Sequence, residues 1–140
     1  MPRENDFEKI TGRLQKIVTV RDSKDTPDLI KDDLSVIFQL KDGSVAILTG
    51  CCHAGIVNTV NHAVKLIGSS SVVGIIGGLH LHDASGERLE STTEHLKKYP
   101  FRTLAPCHCT GLRGRAAVMY AFGEIFEDIG SGSTLKFTSK

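Results

Sequence analysis

The chain has 140 residues, a length typical of one domain with a single hydrophobic core. Its 40% hydrophobic and 24% charged residues exclude a largely disordered chain. With 17 basic against 16 acidic residues, the net charge of +1 provides no strong field for binding nucleic acid or an anionic membrane. No apolar run approaches the roughly 20 residues that span a bilayer, and the N-terminus has no signal-peptide core. We therefore expect a cytoplasmic protein.

The first 32 residues are charged and poorly periodic, and we expect an irregular lead-in arm there. Within this arm, a strand from Leu14 to Val20 and a turn-rich polar stretch over residues 22–28 are predicted. After it, two apolar segments joined by a turn at Asp42-Gly43 predict a β-hairpin. The first segment alternates through Leu34, Val36, Phe38 and Leu40, and the second is Val45 to Leu48.

After the hairpin, one unit occurs three times: an apolar strand, a short loop with a histidine, and an amphipathic helix. Strands that alternate with helices indicate neighbouring parallel strands, so the predicted fold class is α/β with a mixed sheet, over a domain of residues 33–140. In chain order the predicted elements are strands at 45–48, 72–76 and 103–105, helices at 56–67, 87–98 and 111–126, and a last strand at 135–137.

Each strand of these units is followed by a loop that contains histidine and glycine, and the histidines are His53, His80 and His108. In open α/β sheets such loops converge at the carboxyl edge of the sheet, where ligands bind. Neutral imidazole is a common metal ligand, so three histidines at one edge predict a metal centre. His82 and Asp83 could be ligands or simply turn residues. By contrast, His62 and His95 share helix faces with polar residues and are expected at the solvated surface.

The four cysteines fall as Cys51-Cys52 and Cys107-x-Cys109, each pair beside a histidine. This clustering favours site chemistry over disulfides. Metal ligation, a reactive thiol at a helix N-terminus and small buried thiols remain alternatives, whereas the spacing disfavours a structural zinc knuckle.

Arg113 and Arg115 lie in the first turn of the third helix. There they would suit a phosphate or carboxylate of a small-molecule substrate. The alternative is a solvated first turn, and two arginines are too few to indicate nucleic acid.

Three motifs resemble the C-terminal half of the metallo-β-lactamase superfamily, in the branch related to dihydropterin ribofuranosyl-aminobenzene phosphate synthase. They are Gly50-Cys51-Cys52-His53-Ala54-Gly55, Gly77-Gly78-Leu79-His80 and Pro106-Cys107-His108-Cys109-Thr110-Gly111. Cys52 is a mild departure, because relatives usually have serine or alanine there. The resemblance covers about residues 30–138 and implies half of an αββα sandwich with a site for one or two metal ions, usually zinc, iron or manganese.

The resemblance also implies roles for individual residues. His108 matches the last histidine ligand, His53 lies in the loop with a mid-chain ligand, and His80 matches a ligand or substrate contact. Cys51 takes the place usually held by a bridging aspartate. The motif of the superfamily's first half, His-x-His-x-Asp-His, is absent from this sequence.

A chain with half of the ligands and an exposed apolar sheet face is expected to need a partner, either a separate N-terminal half or a second copy. The leading hypothesis is therefore half of a metal-dependent hydrolase that acts on a small molecule, with a faint indication of a phosphate-bearing or pterin-like substrate. The alternative is a non-catalytic, homodimerising remnant or metal-binding module of the same fold.

Overall fold

The computed structural model describes residues 18–28 and 30–137. Six strands, three α-helices and two short 3₁₀ turns make up this part of the chain. The strands are β1 (Val18–Arg21), β2 (Lys24–Pro27), β3 (Ser35–Gln39), β4 (Val45–Thr49), β5 (Val72–Gly78) and β6 (Thr103–Cys107), and the helices are α1 (Ile56–Ile67), α2 (Gly86–Leu96) and α3 (Gly111–Phe122). The 3₁₀ turns are His108–Thr110 and Gly123–Ile125.

The described part of the expected lead-in arm is a two-stranded antiparallel hairpin, not an irregular segment. Residues 24–27 of the predicted polar turn form its second strand. The turn is shorter than expected because Asp22 and Ser23 both have positive φ, 50° and 60°, which matches the twist of a tight two-residue hairpin turn. The remainder of the predicted strand, residues 14–17, lies outside the described residues.

The main sheet has four strands in the order β3-β4-β5-β6. β3 and β4 pair antiparallel, and β4, β5 and β6 run parallel, as the repeated strand–loop–helix unit predicts. At the turn between β3 and β4, Gly43 has φ of 80°, and the Asp42 carboxylate accepts hydrogen bonds from the Ser44 amide at 3.0 Å and hydroxyl at 2.6 Å. The expected mixed sheet is therefore confirmed.

The three helices share one buried apolar core with the sheet. The core includes Val45 and Ile47 of β4, Ile75 of β5 and Leu104 of β6, together with apolar residues of all three helices. Helix α1 contributes the predicted three-and-four stripe, and it ends at Gly68, whose φ of 74° allows its amide to donate to the Val64 carbonyl at 2.8 Å.

The other sheet face is apolar and open. Val36 and Phe38 are each 49% exposed and Leu48 is 39% exposed, which agrees with the exposed face expected of a half-sandwich. A groove of about 240 Å³ runs along it. Its lining includes Phe38, Leu40, Ala46, Leu48, Ile76 and Phe137.

Two predictions for the C-terminal third are wrong. Helix α3 ends at Phe122 instead of Phe126, because Gly123 takes φ of 55° and ψ of −120°, which a helix cannot continue. The chain then returns to β6, where Phe126 bridges Leu104 and the Glu127 amide donates to the Leu104 carbonyl at 2.8 Å. Residues 135–137 form no strand, and the Phe137 ring instead packs over Gly74, where there is no side chain to block it.

Candidate metal centre

The three predicted loops lie together at the carboxyl edge of the parallel strands. They follow β4, β5 and β6 and place Cys51, His53, His80, His108 and Cys109 at one end of the sheet. The loops are tied to each other by backbone hydrogen bonds. For example, the Gly78 amide donates to the Gly50 carbonyl at 3.0 Å. The site is therefore formed by residues far apart in sequence.

Each of the three loops contains one non-glycine residue in the left-handed backbone region. These residues are Cys52, His80 and His108, with φ values of 61°, 50° and 49°. Such a conformation costs about 1–3 kcal/mol and persists only where the surrounding structure enforces it. Two of the three are themselves predicted metal ligands, so the strain is located at the candidate site.

Glycines allow the loops to approach closely. A Cβ at Gly78 would lie 2.4 Å from the Gly50 carbonyl oxygen and 2.7 Å from Cys109 Sγ. Gly111 has φ of 67°, and a Cβ there would lie 2.7 Å from the Cβ of His82. The missing side chain at Gly78 therefore allows Cys109, in the loop after β6, to approach the end of β5. The missing side chain at Gly111 allows His82, in the loop after β5, to approach the start of α3.

One group of donor atoms, which we call the sulfur cluster, consists of Cys51, His108 and Cys109. Their ligand atoms all lie within 4.8 Å of one another. Cys51 Sγ and His108 Nε2 are 3.0 Å apart, and the Cys109 thiol donates to the Cys51 carbonyl at 3.1 Å. Burial, assisted by neighbouring Cys51, raises the pKa of the Cys109 thiol to about 11, while a hydrogen bond from the His80 backbone acts in the opposite direction.

The second group, which we call the histidine cluster, consists of His53, His80, His82 and Asp83. Ligand atoms of the last three lie within 4.8 Å of one another, and the His53 ring stands edge-on to His80 with centroids 4.7 Å apart. The rings of His80 and His82 are 5.2 Å apart, because β5 ends at Gly78 and strand alternation no longer separates them. Burial, followed by the charges of His53 and His82, lowers the pKa of His80, which favours the neutral imidazole that binds metals.

One structural observation, independent of the resemblance to the metallo-β-lactamase superfamily, indicates that these donor atoms fit a metal ion. Within residues 18–28 and 30–137, the buried Nδ1 atoms of His53 and His80 have no hydrogen-bond partner. A buried polar atom without a partner costs about 1–3 kcal/mol, and a coordinate bond would remove that cost. His53, His80 and His82 with Asp83, or Cys51 and Cys109 with His108, are the residues that could hold a metal.

The remaining predicted residues are placed as follows. Arg113 is exposed near the start of α3, and Arg115 forms an ion pair with Asp128. Cys52 is buried and contacts the Thr59 hydroxyl at 3.2 Å, so it belongs to the core rather than to the site. The substrate-binding role of the two arginines stays a prediction.

The two histidines that were expected on solvated helix faces, outside the site, are less exposed than expected. His62 and His95 are both half-buried, and His95 Nε2 contacts Asn61 Oδ1 at 3.2 Å. Burial lowers the pKa of His95. Neither residue lies in the two donor clusters, which agrees with their exclusion from the site.

Sequence analysis did not identify two buried threonines that support the loops. The Thr110 hydroxyl accepts a hydrogen bond from the Leu79 amide at 3.0 Å, and the Thr49 hydroxyl donates to the Gly78 carbonyl at 2.8 Å. Each threonine is adjacent to a glycine in its loop, but a threonine beside a glycine is too common a pattern to signal this role.

Known proteins are similar to this chain in sequence and in fold. It is 36% identical over 110 residues to the 7,8-dihydropterin-6-methyl-4-(beta-D-ribofuranosyl)-aminobenzene-5'-phosphate synthase of Methanocaldococcus jannaschii, covering 79% of this chain and 37% of that protein. It is 28% identical over 134 residues to the uncharacterized protein MJ0448 of the same organism, covering 93% of this chain and 47% of the relative. No family model matches the sequence.

Among solved structures, the fold is similar to Tm1679, a metal-dependent hydrolase of the β-lactamase superfamily, with a TM-score of 0.77 and 25% sequence identity. This match covers 85% of the chain and 46% of that structure. The chain thus spans less than half the length of each of these proteins.

No helix in the described ranges is long and apolar enough to cross a membrane.

Proposed function

Because the chain is related to the metallo-β-lactamase superfamily, we propose that it supplies the C-terminal half of the metal site of a metal-dependent hydrolase. The observation that carries the proposal is the convergence of histidines from three successive strand ends at one sheet edge. Two of them, His53 and His80, have buried Nδ1 atoms without a hydrogen-bond partner in the described residues. A bound metal ion would satisfy these atoms.

In this proposal, His53, His80 and His108 hold the metal, and Cys51 occupies the position of a bridging ligand. A divalent metal supplies Lewis-acid polarisation of a carbonyl or phosphoryl oxygen and makes water a stronger acid. Zinc suits a mixed set of imidazole and thiolate donors best, and iron or manganese would be the alternatives. Two of the residues that would hold the metal, His80 and His108, have a left-handed backbone, which the surrounding loops must enforce.

We propose a phosphate-bearing small molecule as the substrate class. The similarity to a synthase whose name includes a 5'-phosphate supports this choice. On this chain, Arg113 is exposed near the N-terminal end of α3, where its guanidinium suits an anionic group. Arg115 would help indirectly, since its pairing with Asp128 ties the start of α3 to the following segment.

The site requires a second protein half in this proposal. The chain spans 37% and 47% of its two relatives, and its open sheet face is apolar where a second layer would pack. We propose that a separate N-terminal half covers Val36, Phe38 and Leu48 and adds the missing ligands. A second copy of the chain is the alternative occupant. The four cysteines are all free thiols, which suits the reducing cytoplasm that we propose as the location.

The proposal is tested by metal analysis and native mass spectrometry of the purified chain, alone and mixed with the region of the Methanocaldococcus synthase that this chain does not match. We expect a one-to-one complex with bound zinc, iron or manganese and hydrolysis of a chromogenic phosphate ester. His53→Ala should lose the bound metal and the activity, whereas the matched control His62→Ala should keep both. A metal-free homodimer without hydrolysis would instead support the non-catalytic module and overturn the proposal.

A further inference from the structure

Helix α3 presents apolar side chains to solvent. Its inner side packs on the core through the buried Val118. On its outer side, Leu112 is 83% exposed, Met119 is 52% exposed and Tyr120 is 94% exposed. Ala116, four residues from both Leu112 and Tyr120, is also exposed. We call the surface formed by these four exposed residues the outer face of α3.

This outer face is unlike the solvent-facing side of a typical surface helix, which is polar. Helix α2 follows the usual pattern, since its exposed residues are Gly86, Glu87, Glu90, Ser91 and Glu94. A helix that is apolar on both sides is normally covered on both sides. Within the described residues, α3 is covered on its inner side only. The outer face of α3 therefore has the character of a protein interface.

We propose that the outer face of α3 binds the same face of a second copy of this chain, with the two α3 helices antiparallel about a two-fold axis at Ala116. This inference goes beyond the proposed hydrolase and does not depend on it. The helices pack on one face of the sheet, and the open apolar face is on the other. A second layer on the open face would therefore leave the outer face of α3 accessible.

The spacing of the outer face suits a two-fold pair. Leu112 and Tyr120 are each four residues from Ala116, so in the antiparallel pair Leu112 of each copy would face Tyr120 of the other. Side chains four residues apart are neighbours on a helix, and this row is about 12 Å long. The small side chain of Ala116 allows the two helix axes to approach to about 8 Å, the lower end of the usual range. The face is thus complementary to itself, as a two-fold interface requires.

The charges at the two ends of α3 favour a second copy in the antiparallel direction. Arg113 is exposed in the first turn, which has no acidic residue, and Glu124 is exposed just beyond the last turn. In an antiparallel pair, Glu124 of each copy would approach the first turn of the other, where Arg113 and the positive end of the helix dipole attract it. A parallel pair would instead bring like charges together.

Sedimentation equilibrium of the purified chain over a range of concentrations tests this interface. One helix pair buries less than the roughly 1,200–2,000 Å² of a standard interface, so we expect a dimer that dissociates in the micromolar range. Tyr120→Lys should weaken the dimer about 30-fold or more, since it places a charge at an aromatic contact. The matched control Leu66→Lys adds the same charge at a leucine of α1 that is 64% exposed, and it should dimerise as the unaltered chain does.

Association through the open sheet face is distinguished by a variant with a charge in that groove. Phe38→Lys should still form the dimer, whereas the double variant Phe38→Lys, Tyr120→Lys should be monomeric at the same concentrations. A monomeric unaltered chain would overturn the inference. A dimer that is lost in Phe38→Lys but kept in Tyr120→Lys would also overturn it.

The direction of the helices is tested by Glu124→Lys. In the antiparallel pair this change replaces an attraction to the first turn of the second copy by a repulsion, so the dimer should weaken, and less so at high salt. An unchanged dissociation constant would overturn the antiparallel arrangement.

The two proposals fail separately in these experiments. A dimer that depends on Tyr120, without bound metal or hydrolysis in the presence of the partner half, would overturn the hydrolase and retain the α3 interface. Hydrolysis that depends on His53, with assembly unaffected by Tyr120→Lys, would overturn the α3 interface alone.

Discussion

Replacing Gly78 with alanine tests whether close packing of the loops builds the candidate site. The new Cβ would lie 2.4 Å from the Gly50 carbonyl oxygen and 2.7 Å from Cys109 Sγ, below any normal contact distance. The first of these is a backbone atom that accepts the Gly78 amide hydrogen bond, so relief requires the loops after β4 and β5 to separate. Overpacking of this kind costs about 1–3 kcal/mol. For a chain of this length, the loss corresponds to a fall in the melting temperature of about 3–12 °C.

The matched control is Gly86→Ala at the first residue of α2. A Cβ there would meet nothing within 4 Å, and alanine in a helix gains up to about 1 kcal/mol over glycine. Urea denaturation gives the free energy of unfolding of both variants. We expect Gly78→Ala to be less stable than the unaltered chain and Gly86→Ala to be at least as stable. If the two variants have equal stability, the loops are not held together as described.

Three further predictions follow from single features of the structure. Thr110→Val should lower the free energy of unfolding by about 1–3 kcal/mol in urea, because the buried Leu79 amide loses its acceptor; an unchanged midpoint would show that another acceptor replaces it. Phe38→Lys should leave the melting temperature nearly unchanged, since the side chain is half exposed, but should abolish assembly with the partner half in native mass spectrometry; retained assembly would exclude the open face as the interface. Burial lowers the pKa of His95 below 6.5, so the stability that its neutral form contributes is present above pH 6.5 and lost as the pH falls through the lowered value; His95→Gln should flatten the fall in stability from pH 7 to pH 5, and an identical slope would contradict this.

The sequence predicted the central sheet, the first two helices and the position of the loops because each depends on a local pattern. β5 reads as an apolar run, α1 has a regular apolar stripe, and parallel strands carry their following loops to one edge. β1 was predicted in part, because Val18 and Val20 alternate with polar residues at the end of the predicted strand over residues 14–20. Its pairing with β2 was missed, because the polar and largely exposed sequence of β2 reads as part of a turn.

The residues of the candidate site were predicted more fully than the contacts between them. His53, His80 and His108 can be identified because each lies in a glycine-containing loop after an apolar strand. The distances between them cannot be predicted from the sequence. The pairing of Cys51 with Cys109 across 58 residues, and the approach of His82 to His80, depend on glycine contacts and backbone angles that arise only in the assembled fold. The end of α3 at Phe122 was missed since the glycine that ends it lies within an apolar pattern that continues to Phe126.

The segment that returns to β6 after α3 also limits how copies of this chain can join. By pairing with Leu104, Phe126 and Glu127 block part of the outer border of β6, and among the described residues the outer border of β3 has no strand beside it. A sheet with two free borders can add copies without limit and grow into a fibre. Here, pairing of β3 with β3 of a second copy would produce a sheet that ends in β6 on both sides, so growth stops at two chains.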